Sequence, residues 1–356
     1  MDLCLPRLIL PRLITVCLFA CLGNWAGMAA GAPLQTDSAA ATSPAQADKP
    51  GTPAAQPEAE QPAAAGTDSQ PDTKPDTKPD TKKYKLVYQF HPDQVVRYQV
   101  THKMTITNQF NDSTDIARNK SESRKSFRVV SVDEQGNGEV EVQLDWVQMT
   151  SRSSDSQPEI VFKSDDPDAQ PAEFRHILKS LGKPQARIQI APAGQIRKVK
   201  LLNNPAQAPK NQPETDWANE TILSPMPDEP VAVGDSWKHN YEVSVHTTNT
   251  LKTPISMMCK YTLTAVQDGK ASIHFKTSVL SPVNDSSISI QLIQRETTGT
   301  IEFDIDRGLL LNRKVDVDRT VINPFGSTSS MRAVSHWQER LLPDEAATTS
   351  SDTSRK

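Results

Sequence analysis

Apolar and polar residues alternate over most of the chain beyond residue 82, a pattern typical of β-strands with one buried face. In the first long run, apolar side chains occupy nearly every second position from Val96 to Ile106, and mostly polar side chains lie between them. Similar runs follow at 140–146, 237–245, 261–266, 271–280, 288–292, 301–305, 309–321 and 331–341. Clean alternation favours antiparallel sheets with one side facing water. We therefore predict a mainly β fold, with long antiparallel strands in curved sheets or half-barrels.

Turn residues and a single helical pattern complete this prediction. Residues 133–138, 267–270 and 306–308 contain Asp and Gly between alternating runs, which favours tight hairpin reversals. One segment has helical spacing: it begins after Pro171 and ends at Gly182. Its apolar face consists of Phe174, Ile177, Leu178 and Leu181. We expect one short amphipathic helix that packs on a sheet.

The order of strands and turns occurs twice, which suggests two similar lobes. A long alternating run and an Asp/Gly-turned hairpin at 97–136 are paralleled at 236–269, with drifting spacing. The predicted β-rich domain covers 83–342, with lobes of about 83–202 and 231–342 joined by a Pro-rich linker. Whether the halves are a true duplication stays open.

The segments outside this domain predict export. Residues 1–32 have the basic start, the apolar run and the small-residue end of a signal peptide. The apolar run, 13–22, is far shorter than the ~20 residues that span a bilayer. Residues 33–82 form an Ala/Pro-rich linker with Asp-Thr-Lys-Pro repeats that we predict to be disordered, as is the polar tail 343–356. The expected location is the periplasm, the cell envelope or the medium.

Two alternatives are open for the end of the signal. A peptidase could cleave after small residues near Ala29 or Ala32, or the sequence around Cys21 could serve as a lipoprotein box, with Phe19 where a small residue is usual. We expect membrane association only if Cys21 is lipidated.

Charge argues against nucleic acid as a partner. The chain carries a formal net charge of −4, and the leader, linker and tail account for it, so that 83–342 is close to neutral. Nucleic-acid binders normally show a basic surplus. We interpret the one basic cluster as the solvated face of a strand, with anion binding as the alternative. This cluster comprises Lys120, Arg124, Lys125 and Arg128.

No pattern of reactive residues predicts an enzyme. Cys259 is the single cysteine of the body, in an apolar run, and is expected to be a buried hydrophobe. The seven histidines are scattered without metal-ligand spacing. Carboxylates at 304, 306, 316 and 318 lie on a hairpin whose expected register keeps them apart. We therefore predict a protein that is not an enzyme, with no catalytic, cofactor-binding or metal-binding residues.

Two stretches carry a resemblance to a known family. Residues 84–98 contain an aromatic strand, a polar break at Pro92 and Asp93, and a Val-Arg-Tyr restart, and 230–237 reads Pro-Val-x-Val-Gly-Asp-Ser-Trp. Together they resemble a family of exported, β-rich bacterial proteins of unknown function. The chain departs from the pattern at Pro92 and Asp93, where a Gly-centred turn is expected. The resemblance implies an envelope or secreted location and supplies no activity. From the residues alone, Trp237 is expected to fill the core.

Three functional hypotheses follow. The first is a non-catalytic envelope module that binds a lipid-like ligand, a peptide or an envelope protein in an apolar groove of the curved sheet. The second is a structural spacer without a small ligand. The third is a hydrolase whose site comes from residues distant in sequence.

Overall fold

A computed structural model describes residues 82–202, 223–246 and 252–343. The predicted signal peptide, nearly all of the predicted linker, residues 203–222 and the tail from 344 lie outside the described residues. Within the described ranges the protein is mainly β, as the alternation predicts.

Twelve strands and a few short helical segments make up this part of the chain. The strands are β1 (Val95–Phe110), β2 (Ser113–Val132), β3 (Gly138–Arg152), β4 (Ile160–Lys163), β5 (Pro184–Ile190), β6 (Ile196–Leu201), β7 (Ser236–His246), β8 (Lys252–Gln267), β9 (Lys270–Val279), β10 (Thr298–Asp304), β11 (Leu309–Ile322) and β12 (Ser329–Leu341). The helices are α1 (Arg175–Leu178) and α2 (Ser286–Leu292), with 3-10 turns at Pro167–Ala169 and Ala172–Phe174. None of these described helices has the length and apolarity needed to cross a bilayer.

All twelve strands belong to one antiparallel sheet. Its order is β6-β5-β3-β2-β1-β12-β11-β10-β9-β8-β7, and β4 pairs with β3. The two predicted lobes are therefore halves of one sheet, joined where β1 pairs with β12 from Tyr98 opposite Leu341 to Phe110 opposite Ser329. The pairing of β1 with β12 thus joins strands that lie more than 200 residues apart in the sequence.

The predicted alternation corresponds to the two faces of this sheet. In β1, every second side chain from Val96 to Ile106 is buried, including His102, and the residues between them are more exposed. The inward side chains of both halves meet in one main core. This core includes Tyr98 of β1, Val199 of the edge strand β6 and Tyr261 of β8. Because strands near both edges of the sheet contribute to this core, the sheet curves around its buried face.

Two segments outside the strands help to fill that core. Leu86 and Tyr88, before β1, and Met226 and Val231, before β7, are buried within it. Tyr84 and Val231 form an antiparallel bridge. These segments connect the two halves of the sheet.

The predicted helix after Pro171 is present but short. A 3-10 turn over Ala172–Phe174 runs into α1, and Phe174 and Ile177 are buried against β3 and β4. Gly182 follows with φ +67°, a conformation that favours glycine.

The run 288–292, predicted as a strand, was wrongly assigned. It lies in the helix α2, whose N-terminus is capped by Asp285: its side chain accepts a hydrogen bond from Ser287 N at 2.8 Å. Leu292 packs on β7 and β8, and the following Ile293 packs on β1 and β12. The spacing of Ile288 and Leu292 fits a helix as well as a strand, so alternation over five residues could not decide between them.

Candidate ligand pocket

The sheet opens where β12 ends. Pairing between β12 and β1 stops at Leu341 opposite Tyr98. Leu342 N still donates to Arg97 O at 2.8 Å, but Pro343 has no N–H with which to continue the ladder. Since neighbouring strands lie ~4.8 Å apart, the first residues of β1 and β11 face each other across a gap of about 10 Å.

This gap is a pocket of about 560 Å³. Seven of its nine lining residues are aliphatic, and the other two carry an amide and a guanidinium, but the surface that faces the pocket is more polar than apolar. The lining residues are Gln94, Val95, Val96, Arg307, Leu309, Leu311, Leu341, Leu342 and Pro343. Small-molecule sites usually occupy ~300–1,000 Å³, and the volume of this pocket falls within that range.

A β-bulge places Leu311 in the wall. On β10, Glu302 pairs with Asn312 and Phe303 pairs with Leu310, so Leu311 has no partner on that strand. Such a bulge redirects a side chain and bends the strand. The run 309–311 breaks the period-two pattern of its strand with three consecutive leucines. That break is the sequence signal for the pocket.

Arg307 lies at the tip of the β10–β11 hairpin. Its backbone N–H donates to Asp304 Oδ1 at 2.9 Å. The next residue, Gly308, has φ +61° and accepts a hydrogen bond from Gln89 N at 3.2 Å. A Cβ at Gly308 would lie 2.5 Å from that same nitrogen, so the close approach requires glycine. The turn that carries Arg307 is therefore fixed against the segment before β1.

Tyr98 connects the two strands above the gap. Its hydroxyl donates to Leu310 O at 3.0 Å. Burial raises the pKa of Tyr98 well above its ordinary value, the Glu339 carboxylate raises it further, and the positive charges of Arg313 and Arg307 oppose the rise. The tyrosine is neutral, and it is within electrostatic range of Arg307.

A buried ion cluster lies on the inward face next to the pocket. Glu339 is fully buried, and its oxygens lie 2.5 Å from Lys125 Nζ and 3.0 Å from Arg313 Nη2. The guanidinium of Arg313 lies 4.7 Å from the ring centroid of Trp337. Each ionic group therefore has an opposite charge or an aromatic face beside it, as a buried charge requires.

This cluster corrects the prediction for the basic residues of β2. Lys120, Arg124 and Arg128 are exposed, which confirms a solvated strand face. Arg124 lies 5.2 Å from the ring centroid of Trp146, and Arg128 lies 3.6 Å from Asp93. Lys125 was wrongly included: it points to the opposite face because side-chain direction alternates along a strand.

Two histidines and two aspartates that the sequence offered as candidates have structural contacts. His102 Nε2 lies 2.8 Å from Ser335 Oγ, and burial lowers the pKa of His102 to about 4. Asp316 pairs with His336 at 2.7 Å, and Asp318 with Arg332 at 2.7 Å. Within the described ranges, no three His, Cys, Asp or Glu side chains come together as a metal site needs.

Cys259 and the Pro230–Trp237 motif have the structural roles that their sequence context predicts. Cys259 is a buried free thiol whose pKa is raised by burial. Gly234 has φ +97°, and Asp235 Oδ2 accepts a hydrogen bond from Ala232 N at 2.8 Å, which forms the turn before β7. Trp237 stacks on Tyr261 with ring centroids 5.5 Å apart. The motif is therefore a structural feature, and Trp237 packs against the main core as predicted.

A family of unknown function, DUF6263, matches residues 218–310. This range includes the Pro230–Trp237 motif and β7 to β10. The match agrees with the expectation of an uncharacterised family. No curated protein matches the chain.

Solved structures give only distant likenesses. A structure described as showing lipid–protein interactions in lipovitellin is 10% identical, with a TM-score of 0.41, covering 72% of this chain and 26% of that one. The chain thus spans about a quarter of that protein's length. DynF from the dynemicin biosynthesis pathway of Micromonospora chersina is 7% identical, with a TM-score of 0.20, covering 79% and 95%. At these TM-scores neither likeness says anything about function.

Proposed function

We propose that this protein is a non-catalytic binding module of the cell envelope that holds an apolar ligand in the pocket between β1 and β11. The observation that carries the proposal is the pocket itself, about 560 Å³ in volume, with seven aliphatic residues among the nine that line it. Burial of apolar surface contributes roughly 25 cal/mol per Å², so a ligand with a hydrocarbon part would gain affinity there.

The way the pocket is built supports a binding role. Its walls come from the ends of β1, β11 and β12, which are held by the ladders of one sheet. Sites on strands hold their geometry better than sites on loops. A ligand would therefore meet a preformed cavity and lose little affinity to ordering of the protein.

Two observations favour binding over catalysis. Burial raises the pKa of the Cys259 thiol, whereas a nucleophilic cysteine needs a lowered pKa. Burial also lowers the pKa of His102 to about 4, so this imidazole is a poor general base near neutral pH. Among the described residues, both groups lie outside the pocket lining.

The proposed location follows from the leader. A protein with the signal-like segment 1–32 would be exported, and its partners would be lipid-like molecules or envelope proteins. Membrane attachment would require lipidation of Cys21. Mass spectrometry of the mature N-terminus from the native host would distinguish a lipidated Cys21 from cleavage near residues 29–32.

The binding proposal is tested by filling the pocket. Val95→Trp places an indole in the lining, and Val161→Trp makes the same change on the exposed strand β4. Titration with the fluorescent apolar probe N-phenyl-1-naphthylamine should show saturable binding to wild type and V161W. V95W should bind at least ~10-fold more weakly, because a ~1.4 kcal/mol loss of contact gives that factor. Circular dichroism controls for folding.

Either of two results would overturn the proposal. Equal binding by folded V95W would place the probe elsewhere. If wild type binds no probe and co-purifies with no small molecule in native mass spectrometry, the protein is better explained as a structural spacer.

A further inference from the structure

We infer that a second copy of this chain binds the outer edge of β7, so that the sheets of two molecules join through an antiparallel pair of β7 strands. The inference goes beyond the proposed function and does not depend on the pocket. It is carried by the charges of Lys238 and Glu242, which complement each other when β7 pairs with itself.

β7 is the last strand of the sheet in the described part of the chain. It pairs with β8 from Ser236 opposite Thr262 to His246 opposite Lys252, and no other described strand pairs with it. It is 11 residues long. An edge strand carries backbone N–H and C=O groups with which a strand of another chain can pair. β7 therefore offers a long edge for the addition of one more strand.

The end of β7 shows which of its backbone groups point away from β8. His246 N donates to Gln291 Oε1 at 2.8 Å, and Gln291 Nε2 donates to His246 O at 2.7 Å. Since the direction of backbone groups alternates along an antiparallel strand, those of Lys238, Asn240 and Glu242 also point to the outer edge. Gln291 occupies the last of these positions, so a partner strand would pair with the residues before His246.

Charge selects one register for this pairing. With Asn240 opposite Asn240 of the second copy, Lys238 lies opposite Glu242 of that copy, and Glu242 lies opposite its Lys238. Registers centred on Lys238 or on Glu242 would instead place like charges directly opposite each other, which is destabilising. The selected register also places His239 opposite Tyr241 of the second copy. These two rings, half-buried at the inward side of the edge, stack within one chain with centroids 5.8 Å apart.

The strands next to β7 add positive charge beside this interface. Lys238 lies opposite Lys260 of β8, and Lys260 lies opposite Lys276 of β9, so that three exposed lysines form a row on the outward face. None of the ion pairs within the described ranges includes one of them. Glu242 of the second copy would extend this row and offset the repulsion between its like charges.

The test is a charge exchange between the two strands. Sedimentation velocity of the mature protein at increasing concentration should show a monomer–dimer equilibrium. Lys238→Glu and Glu242→Lys should each raise the dimer dissociation constant by at least ~10-fold, because two attractive contacts become repulsive. An equimolar mixture of the two variants should dimerise like wild type, since each then meets the opposite charge. Lys103→Glu, the same change at an exposed residue of the central strand β1, should leave dimerisation unchanged.

Three results would overturn the inference. A wild type that stays monomeric at every concentration would show that the edge of β7 binds no second copy. A dimer that persists in folded K238E and E242K would lie on another surface. If each variant is monomeric and their mixture stays monomeric, Lys238 and Glu242 do not face each other across the interface. Circular dichroism establishes that the variants are folded.

Discussion

At the scale of single residues, Asp93 has a backbone conformation that favours glycine, at the turn where the sequence suggests one. Its φ is +63°, in the left-handed region. Its N–H donates to Val129 O at 3.0 Å, which fixes the turn before β1. The side chain adds only an exposed contact with Arg128 at 3.6 Å, and such surface pairs contribute little.

We predict that Asp93→Gly stabilises the protein. Glycine adopts positive φ without the steric cost that a Cβ brings, so the free energy of unfolding should rise by about 0.5–1 kcal/mol. Asp93→Ala should lower it, because alanine has neither the freedom of glycine nor a side chain that can support the turn. Urea unfolding of the wild type, D93G and D93A would measure the order of their free energies of unfolding. A less stable D93G would contradict the argument.

His102 predicts a dependence of stability on pH. Burial lowers its pKa from 6.5 to about 4 in the folded protein. Between these values the unfolded chain binds a proton that the folded protein excludes, so stability is full above pH ~6.5 and is lost as the pH falls towards 4. The loss attributable to His102 would approach ~3 kcal/mol. His102→Gln should flatten the slope of unfolding free energy between pH 6.5 and 4.5, and an unchanged slope would refute the assignment.

At the scale of elements, alternation predicted strands well where it was long and failed where it was short. Eleven alternating positions in β1, Val96 to Ile106, allow only one face to be buried, whereas Ile288–Leu292 fits two periods. There the cap at Asp285 and the packing of Leu292 decided for a helix. Local pattern is therefore informative in proportion to its length.

Gly299, the second residue of β10, gives a prediction for packing between strands. A Cβ at this position would lie 2.7 Å from Phe275 Cζ and nearer still to the backbone oxygen of Lys314. Gly299→Ala should therefore lower the free energy of unfolding by about 3 kcal/mol, since neighbouring strands must move. Gly234→Ala is the comparison: its cost comes from φ +97° alone, because no atom lies within 4 Å, and should be about 1 kcal/mol. Thermal and urea unfolding would rank the variants, and the reverse order would contradict this packing argument.

At the scale of the whole molecule, the two halves share a sheet and a core. The pairing of β1 with β12 joins residues such as Tyr98 and Leu341, and the main core takes side chains from both halves. The inward-facing side chains of each half are therefore buried partly against those of the other half. The repeated pattern in sequence therefore does not divide the described residues into separate folding units.

We predict that the halves unfold together. Hydrogen exchange with mass spectrometry at increasing urea should give one free energy of opening for peptides from β3 and from β8. Val334→Pro, which removes an N–H from the strand between β1 and β11, should lower both values equally. Two separate transitions, or a change confined to one half, would show that the lobes are independent.

The sequence alone determined the β class, the hairpin turns, the helical segment before β5, the burial of Cys259 and the structural role of Trp237. These features depend on neighbours within a few residues, through side-chain alternation and backbone preference. Tertiary structure decided which strands meet. Lys125 is half-buried on the inward face, where Glu339, 214 positions away, lies within reach. The pocket exists because β12 stops between β1 and β11, and Arg307 reaches its edge only when those strands pair. Local pattern carries no information about such long-range register, which is set by the pairing of strands across the whole sheet.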